Sequence, residues 1–142
     1  LGDKRAVEPL IAKMDDPEKD VREDVVEALG RLKDKRAETV LLRSYKDEPE
    51  GYVRAEIIVA LEMIGQAEKN MDLIISALKD VSPPVRANAV LVVGCRLDKK
   101  YLPLLNTIAK DNDSDVREAV SRALKSINGN EKIDIKDHYH EE

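Results

Sequence analysis

Apolar residues recur at helical spacing in four separate stretches of this chain. In the first, Val21, Val25, Ala28, Leu29 and Leu32 fall at i, i+4, i+7, i+8 and i+11, which is one stripe of an α-helix. The spacing returns in Val53, Ile57, Ala60, Leu61 and Ile64, then in Val85, Ala89, Val92 and Val93, then in Val116, Val120, Ala123, Leu124 and Ile127. A second helical stretch lies upstream of each stripe, over about residues 4–14, 36–46, 69–79 and 100–110. The pattern therefore predicts four pairs of helices, each pair leaving an apolar face that only a neighbouring pair can cover.

The pairs keep register with one another. Val-Arg recurs as Val21-Arg22, Val53-Arg54, Val85-Arg86 and Val116-Arg117, at spacings of 32, 32 and 31 residues. An acid stands five residues before each of these valines: Asp16, Glu48, Asp80 and Asp111. Pro17, Pro49 and Pro83-Pro84 fall where second helices begin, because a proline in the first helical turn forfeits no hydrogen bond. Gly30, Gly65 and Gly94 fall near their ends, where a left-handed residue commonly stops a helix. Ala89 to Gly94 (AVLVVG) is rich in β-branched residues and taken alone reads as a strand, but its place in the repeat assigns it to a helix. After Ile127 the chain turns polar, and residues 129–142 are expected to form a flexible charged tail, in which Ile133 and Ile135 offer at most a short strand.

The recurring Asp-x4-Val-Arg frame, the Ala28-Leu29-Gly30 ending and the Asp3-Lys4-Arg5-Ala6-Val7-Glu8-Pro9-Leu10 opening resemble the HEAT-like repeats named from phycobilisome lyases. The resemblance covers residues 1–128 and divides them at about 1–33, 34–66, 67–97 and 98–128. It departs from the pattern at Glu48, at Val92-Val93-Gly94 and at Ala123-Leu124-Lys125. It implies an all-α fold, a right-handed α-α superhelix of four helical hairpins. It also implies that Asp16, Glu48, Asp80 and Asp111 form a ladder of charge-assisted hydrogen bonds with Arg22, Arg54, Arg86 and Arg117. On this reading the arginines are scaffold rather than an anion site, since desolvation offsets most of the attraction in a partly buried ion pair.

Composition narrows the function. The net charge of −5, with four Tyr and no Phe or Trp, supplies neither a basic field for phosphates nor aromatic platforms for bases, so nucleic acid is not expected as a partner. No apolar run reaches the roughly 20 residues of a membrane span, so none is expected either. Cys95 is the only cysteine, which permits no internal disulfide and points to the cytoplasm. The first residue is Leu rather than Met, which suggests a trimmed chain, a processed product or a fragment of a longer array.

In repeats of this kind the second helices line one face, and their positions away from the core stripe form rows across it. The rows run from acidic (Glu23, Glu27, Glu56) through a mainly apolar centre (Val59, Met63, Leu91 and Cys95, with the polar Asn88) to mixed basic (Arg122). The expected function is thus a protein-binding scaffold or adaptor. In it the apolar residues grip a peptide or helix and the acids orient its basic flanks. Under this expectation Leu91→Glu abolishes capture and spares the fold; the competing reading buries Val59 and Leu91 against neighbouring repeats. Self-association through the ends of the stack is a further expectation.

Chemistry finds less support. His138 and His140 stand in the tail, and the second helices lack the histidines that a resemblance to the repeat-built iron hydroxylases would require. A bilin lyase would need Cys95 to act on a tetrapyrrole, whereas a lone cysteine on an apolar helix is ordinarily packing. No cofactor, metal site or catalytic residue is expected, and an enzyme or chromophore-handling member of the same repeat class is the alternative.

Overall fold

The computed structural model describes residues 3–135. Among them are eight α-helices and no strand. The helices are α1 (Val7–Ala12), α2 (Lys19–Leu32), α3 (Glu38–Asp47), α4 (Gly51–Met63), α5 (Met71–Ala77), α6 (Pro83–Gly94), α7 (Leu102–Ile108) and α8 (Ser114–Gly129). The fold is all-α and built from repeated helical hairpins, as the apolar periodicity predicts. The chain divides into two compact units, residues 1–70 with α1–α4 and residues 71–142 with α5–α8.

The first turn of each upstream helix is tighter than the sequence pattern anticipates. Residues 4–6, 35–37, 68–70 and 99–101 form 3-10 turns. In three of them an aspartate sets the turn. Asp3, Asp34 and Asp98 each accept a hydrogen bond at Oδ1 from the backbone N–H two residues on, at 2.9 Å. A short side chain that captures a nearby N–H competes with the α-helical pattern, so these helices start late.

In the first unit α2 packs against α4, with α1 and α3 each against its own partner. Val26, Leu29, Leu41, Ile57 and Leu61 are buried there. In the second unit α6 packs against α8 in the same way, around Val92, Leu105, Val120 and Ile127. Burial of such side chains stabilises by about 1.5–3 kcal/mol each relative to exposure.

Two of the three glycines do not stop helices. Gly30 lies inside α2, whose left-handed cap is Lys33 at φ 54°, and Gly94 is the last residue of α6 without a positive φ. Only Gly65, at φ 76°, plays the expected role after α4. Gly30 and Gly94 are small because another helix lies on them. A Cβ on Gly30 would stand 3.3 Å from Ala60 Cα, and one on Gly94 would stand 2.9 Å from Ala123 Cβ.

The structure also differs from the expected tail over its first residues. α8 runs to Gly129, and Asn130 at φ 53° turns the chain back. Ser126 Oγ then donates to Glu131 O, and Glu131 N–H to Ser126 O at 3.0 Å. Ile133 and Ile135 are buried, and Cys95 Sγ donates to Ile133 O at 3.9 Å. Two apolar side chains two residues apart are enough to hold this segment on the second unit. Residues 136–142, with His138 and His140, lie outside the described residues.

Candidate functional site

Each acid of the repeat frame closes its own turn. Asp16 Oδ1, Glu48 Oε2, Asp80 Oδ1 and Asp111 Oδ1 accept the backbone N–H two residues ahead at 2.8–3.0 Å. Glu48 and Asp111 also receive the arginine of the preceding hairpin. In the first unit Arg22 Nε and Nη2 donate to the two oxygens of Glu48 at 2.9 and 3.0 Å, while its Nη1 donates to Asp16 O at 2.9 Å. In the second, Arg86 makes the same fork to Asp111 at 3.0 Å and reaches Asp80 O at 2.9 Å. Arg54 Nη1 donates to Glu48 O at 3.0 Å and Arg117 Nη1 to Asp111 O at 2.7 Å.

The Arg86 guanidinium holds the Asp111 carboxyl below the ordinary aspartate range, against the opposing effect of burial. Two-pronged bonds of this kind fix how one hairpin sits on the next.

A second set of contacts lies at the other end of the helices in the first unit. Lys4 Nζ donates to Leu32 O at 3.1 Å and so satisfies a terminal carbonyl of α2. Arg36 Nη2 donates to Lys4 O at 3.0 Å. The same Arg36 guanidinium grips Asp34 and lowers its pKa to about 2.

The first hairpin carries an apolar hollow of about 380 Å³ between α1 and α2. Ala6, Leu10, Ala28 and Leu32 form its floor, and Asp3, Asp24, Glu27 and Arg31 its rim. Glu27 and Arg31 pair across one turn at 2.7 Å. Asp20, Glu23, Asp24 and Glu27 make an acidic stripe along α2, with Asp20 and Asp24 exposed and the other two half-buried.

The residues expected to grip a partner fall into two groups. Glu23, Glu27, Glu56 and Met63 are half-buried, and Arg122 is exposed. Val59, Asn88, Leu91 and Cys95 are buried, at 0, 4, 6 and 7% exposure. An apolar centre open to a ligand is therefore corrected to interior packing. The helices α4 and α6 are apolar on nearly every side because they are enclosed on nearly every side. Glutamate at position 91 would carry a carboxylate into that interior, so Leu91→Glu would not spare the fold.

Met63 is engaged too, since its Sδ stands 3.4 Å from where a Cβ of Gly30 would be. The apolar pattern assigns Ala28 and Leu32 of the hollow's floor to the core stripe and does not by itself bring Ala6 and Leu10 beside them. The signal that could have found the hollow is register: Ala28 stands seven residues after Val21, as Ala60 does after Val53.

Among the described residues no group of three or more His, Cys, Asp or Glu side chains is placed to hold a metal ion. Nor is any helix there long and apolar enough to cross a membrane.

Helical hairpins in a repeating register, joined by an arginine-to-acid fork, define a helical-repeat protein. The HEAT repeats family matches residues 1–62 and 71–135, and the chain belongs to that family. No curated protein matches it.

Proposed function

We propose that this chain is an adaptor that binds a protein partner, and that it does so through the α2 side of its first hairpin. The observation that carries the reading is the acidic stripe Asp20, Glu23, Asp24 and Glu27 beside the apolar hollow. Like charges one turn apart on a helix oppose its folding by about 0.2–0.5 kcal/mol per pair, an effect that Asp20 offsets by lying in the first turn and Glu27 by pairing with Arg31. An apolar floor with an acidic rim suits a helical segment that carries an apolar face and basic flanks. Membership of the HEAT repeats family supports an interaction role.

The Asp-x4-Val-Arg frame favours the narrower phycobilisome-lyase type of repeat, and the lone buried Cys95 suits a cytoplasmic setting. The test is affinity capture from native-host extract with the natural chain and with Asp24→Lys combined with Glu27→Lys, alongside thermal melts of both. Loss of a captured protein with an unchanged melt is expected. Equal capture by both would remove the stripe from the function.

A further inference from the structure

We propose that the second unit holds a peptide groove between the end of α6 and α8. The chain's own residues 131–135 fill it in this structure, and it is open to an extended partner segment with two apolar residues one residue apart. The groove lies in the other unit from the acidic stripe of α2 and shares no residue with it.

Gly30 and Gly94 mark the same place in the two units. Each stands eight residues after its repeat arginine, Arg22 or Arg86, and each lies against an alanine of the helix it packs on, Ala60 in α4 or Ala123 in α8. What closes the space beside them differs. In the first unit it is Met63, whose Sδ stands 3.4 Å from a Cβ placed on Gly30. Met63 belongs to α4 and stands ten residues after Val53. Ten residues after Val116 the second unit has Ser126, whose side chain is too short for the same task. Ile133 takes the space instead, with its Cδ1 2.9 Å from a Cβ placed on Gly94. A side chain that the first unit draws from its own helix is thus supplied in the second by a separate stretch of chain.

That stretch is held by few contacts. Asn130, at φ 53°, turns it back from α8. Glu131, Lys132 and Asp134 are exposed while Ile133 and Ile135 are buried, the alternation of an extended segment. Its backbone meets α6 where Cys95 Sγ donates to Ile133 O at 3.9 Å, and a thiol is a weak donor. The gain from two buried isoleucines is of the same order as the entropy lost in ordering five residues, so release is cheap. Gly94, Ala123 and Cys95 give the seat an apolar wall with one weak donor, which suits a branched aliphatic side chain beside a backbone carbonyl. A partner segment of that pattern can take the place of residues 131–135.

The probe is a synthetic peptide with the sequence of residues 129–135. It is titrated into the isotope-labelled full chain and read by the amide resonances of Gly94, Cys95 and Ala123. The natural chain should respond weakly, because its own segment competes at an effective concentration on the order of millimolar. Ile133→Asp combined with Ile135→Asp should free that segment, leave the chain folded, and tighten peptide binding by about tenfold or more. Adding Ser126→Met should close the seat as Met63 does in the first unit and abolish the response. A peptide carrying the same two substitutions should not bind.

An unfolded double variant would make residues 131–135 part of the core and not an occupant. A folded double variant that ignores the peptide would reserve the seat for the chain's own segment. Equal binding by the natural chain and the double variant, or binding that survives Ser126→Met, would put the peptide elsewhere. A natural chain sedimenting above its single-chain mass of 15.9 kDa, with the double variant at that mass, would make a second copy the occupant. Each of these results overturns the proposal.

Discussion

Gly30 and Gly94 show what a residue does when its neighbour, and not its own backbone, sets the requirement. In a helix, alanine is favoured over glycine by about 1 kcal/mol, so intrinsic preference alone says that both glycines should be replaced. Contact reverses this at one position. A Cβ on Gly94 would lie 2.9 Å from Ala123 Cβ and from Ile133 Cδ1, and 3.1 Å from Ala123 Cα. Overpacking of this kind costs about 1–3 kcal/mol, so Gly94→Ala is expected to lower stability by about 1 kcal/mol net in urea unfolding.

At Gly30 the nearest atom is 3.3 Å away and the flexible Met63 is one of the neighbours. Gly30→Ala should therefore shift the midpoint less than Gly94→Ala, and a stabilised Gly94→Ala would refute the close approach. Sequence alone placed both glycines near helix ends and read them as stops. Nothing in a single helix reveals that another backbone passes beside it.

At the level of elements, the helices were legible because each carries a stripe of period 3.6 and because the Val-Arg pairs lock their register. The late helix starts were not legible: Asp3-Lys4-Arg5-Ala6 recurs as Asp34-Lys35-Arg36-Ala37, but periodicity cannot separate a 3-10 turn from the first turn of an α-helix. The enclosure of α4 and α6 was legible only as a choice. A helical wheel gives the direction of Val59 or Leu91 and not the number of neighbours in that direction.

The element contact with the clearest signature in solution is Arg86–Asp111. The Asp111 pKa is lowered in the folded state, so its contribution is fully present above the unfolded value of 3.8 and is lost as pH falls through the lower folded value. Stability of the natural chain should therefore fall as pH drops below 3.8, and Asp111→Asn should show a shallower fall over the same range. Parallel urea titrations at stepped pH would decide this, and identical slopes would mean that the fork carries no net linkage.

Over the whole chain, charge is where sequence and surface inform each other most. A net charge of −5 says little by itself, since 24 basic residues accompany 29 acidic ones. Arrangement matters more. Many of the arginines are committed to carboxylates or carbonyls, as Arg22, Arg36 and Arg86 are, whereas Asp20 and Asp24 remain exposed on α2. Charges on an exposed stripe act over about one Debye length, roughly 10 Å at 0.1 M salt. They raise the rate of encounter with a basic partner more than they slow its release, which is governed by what fills the apolar hollow.

For the captured partner, association should therefore slow markedly as salt is raised, with dissociation changing little. Asp24→Lys with Glu27→Lys should remove most of that salt dependence, while a change on the hollow floor such as Leu10→Ala should speed dissociation and leave the salt slope intact. Surface plasmon resonance at several salt concentrations separates the two rates. A salt-independent association rate would assign recognition to the hollow alone and leave the stripe without a part in it.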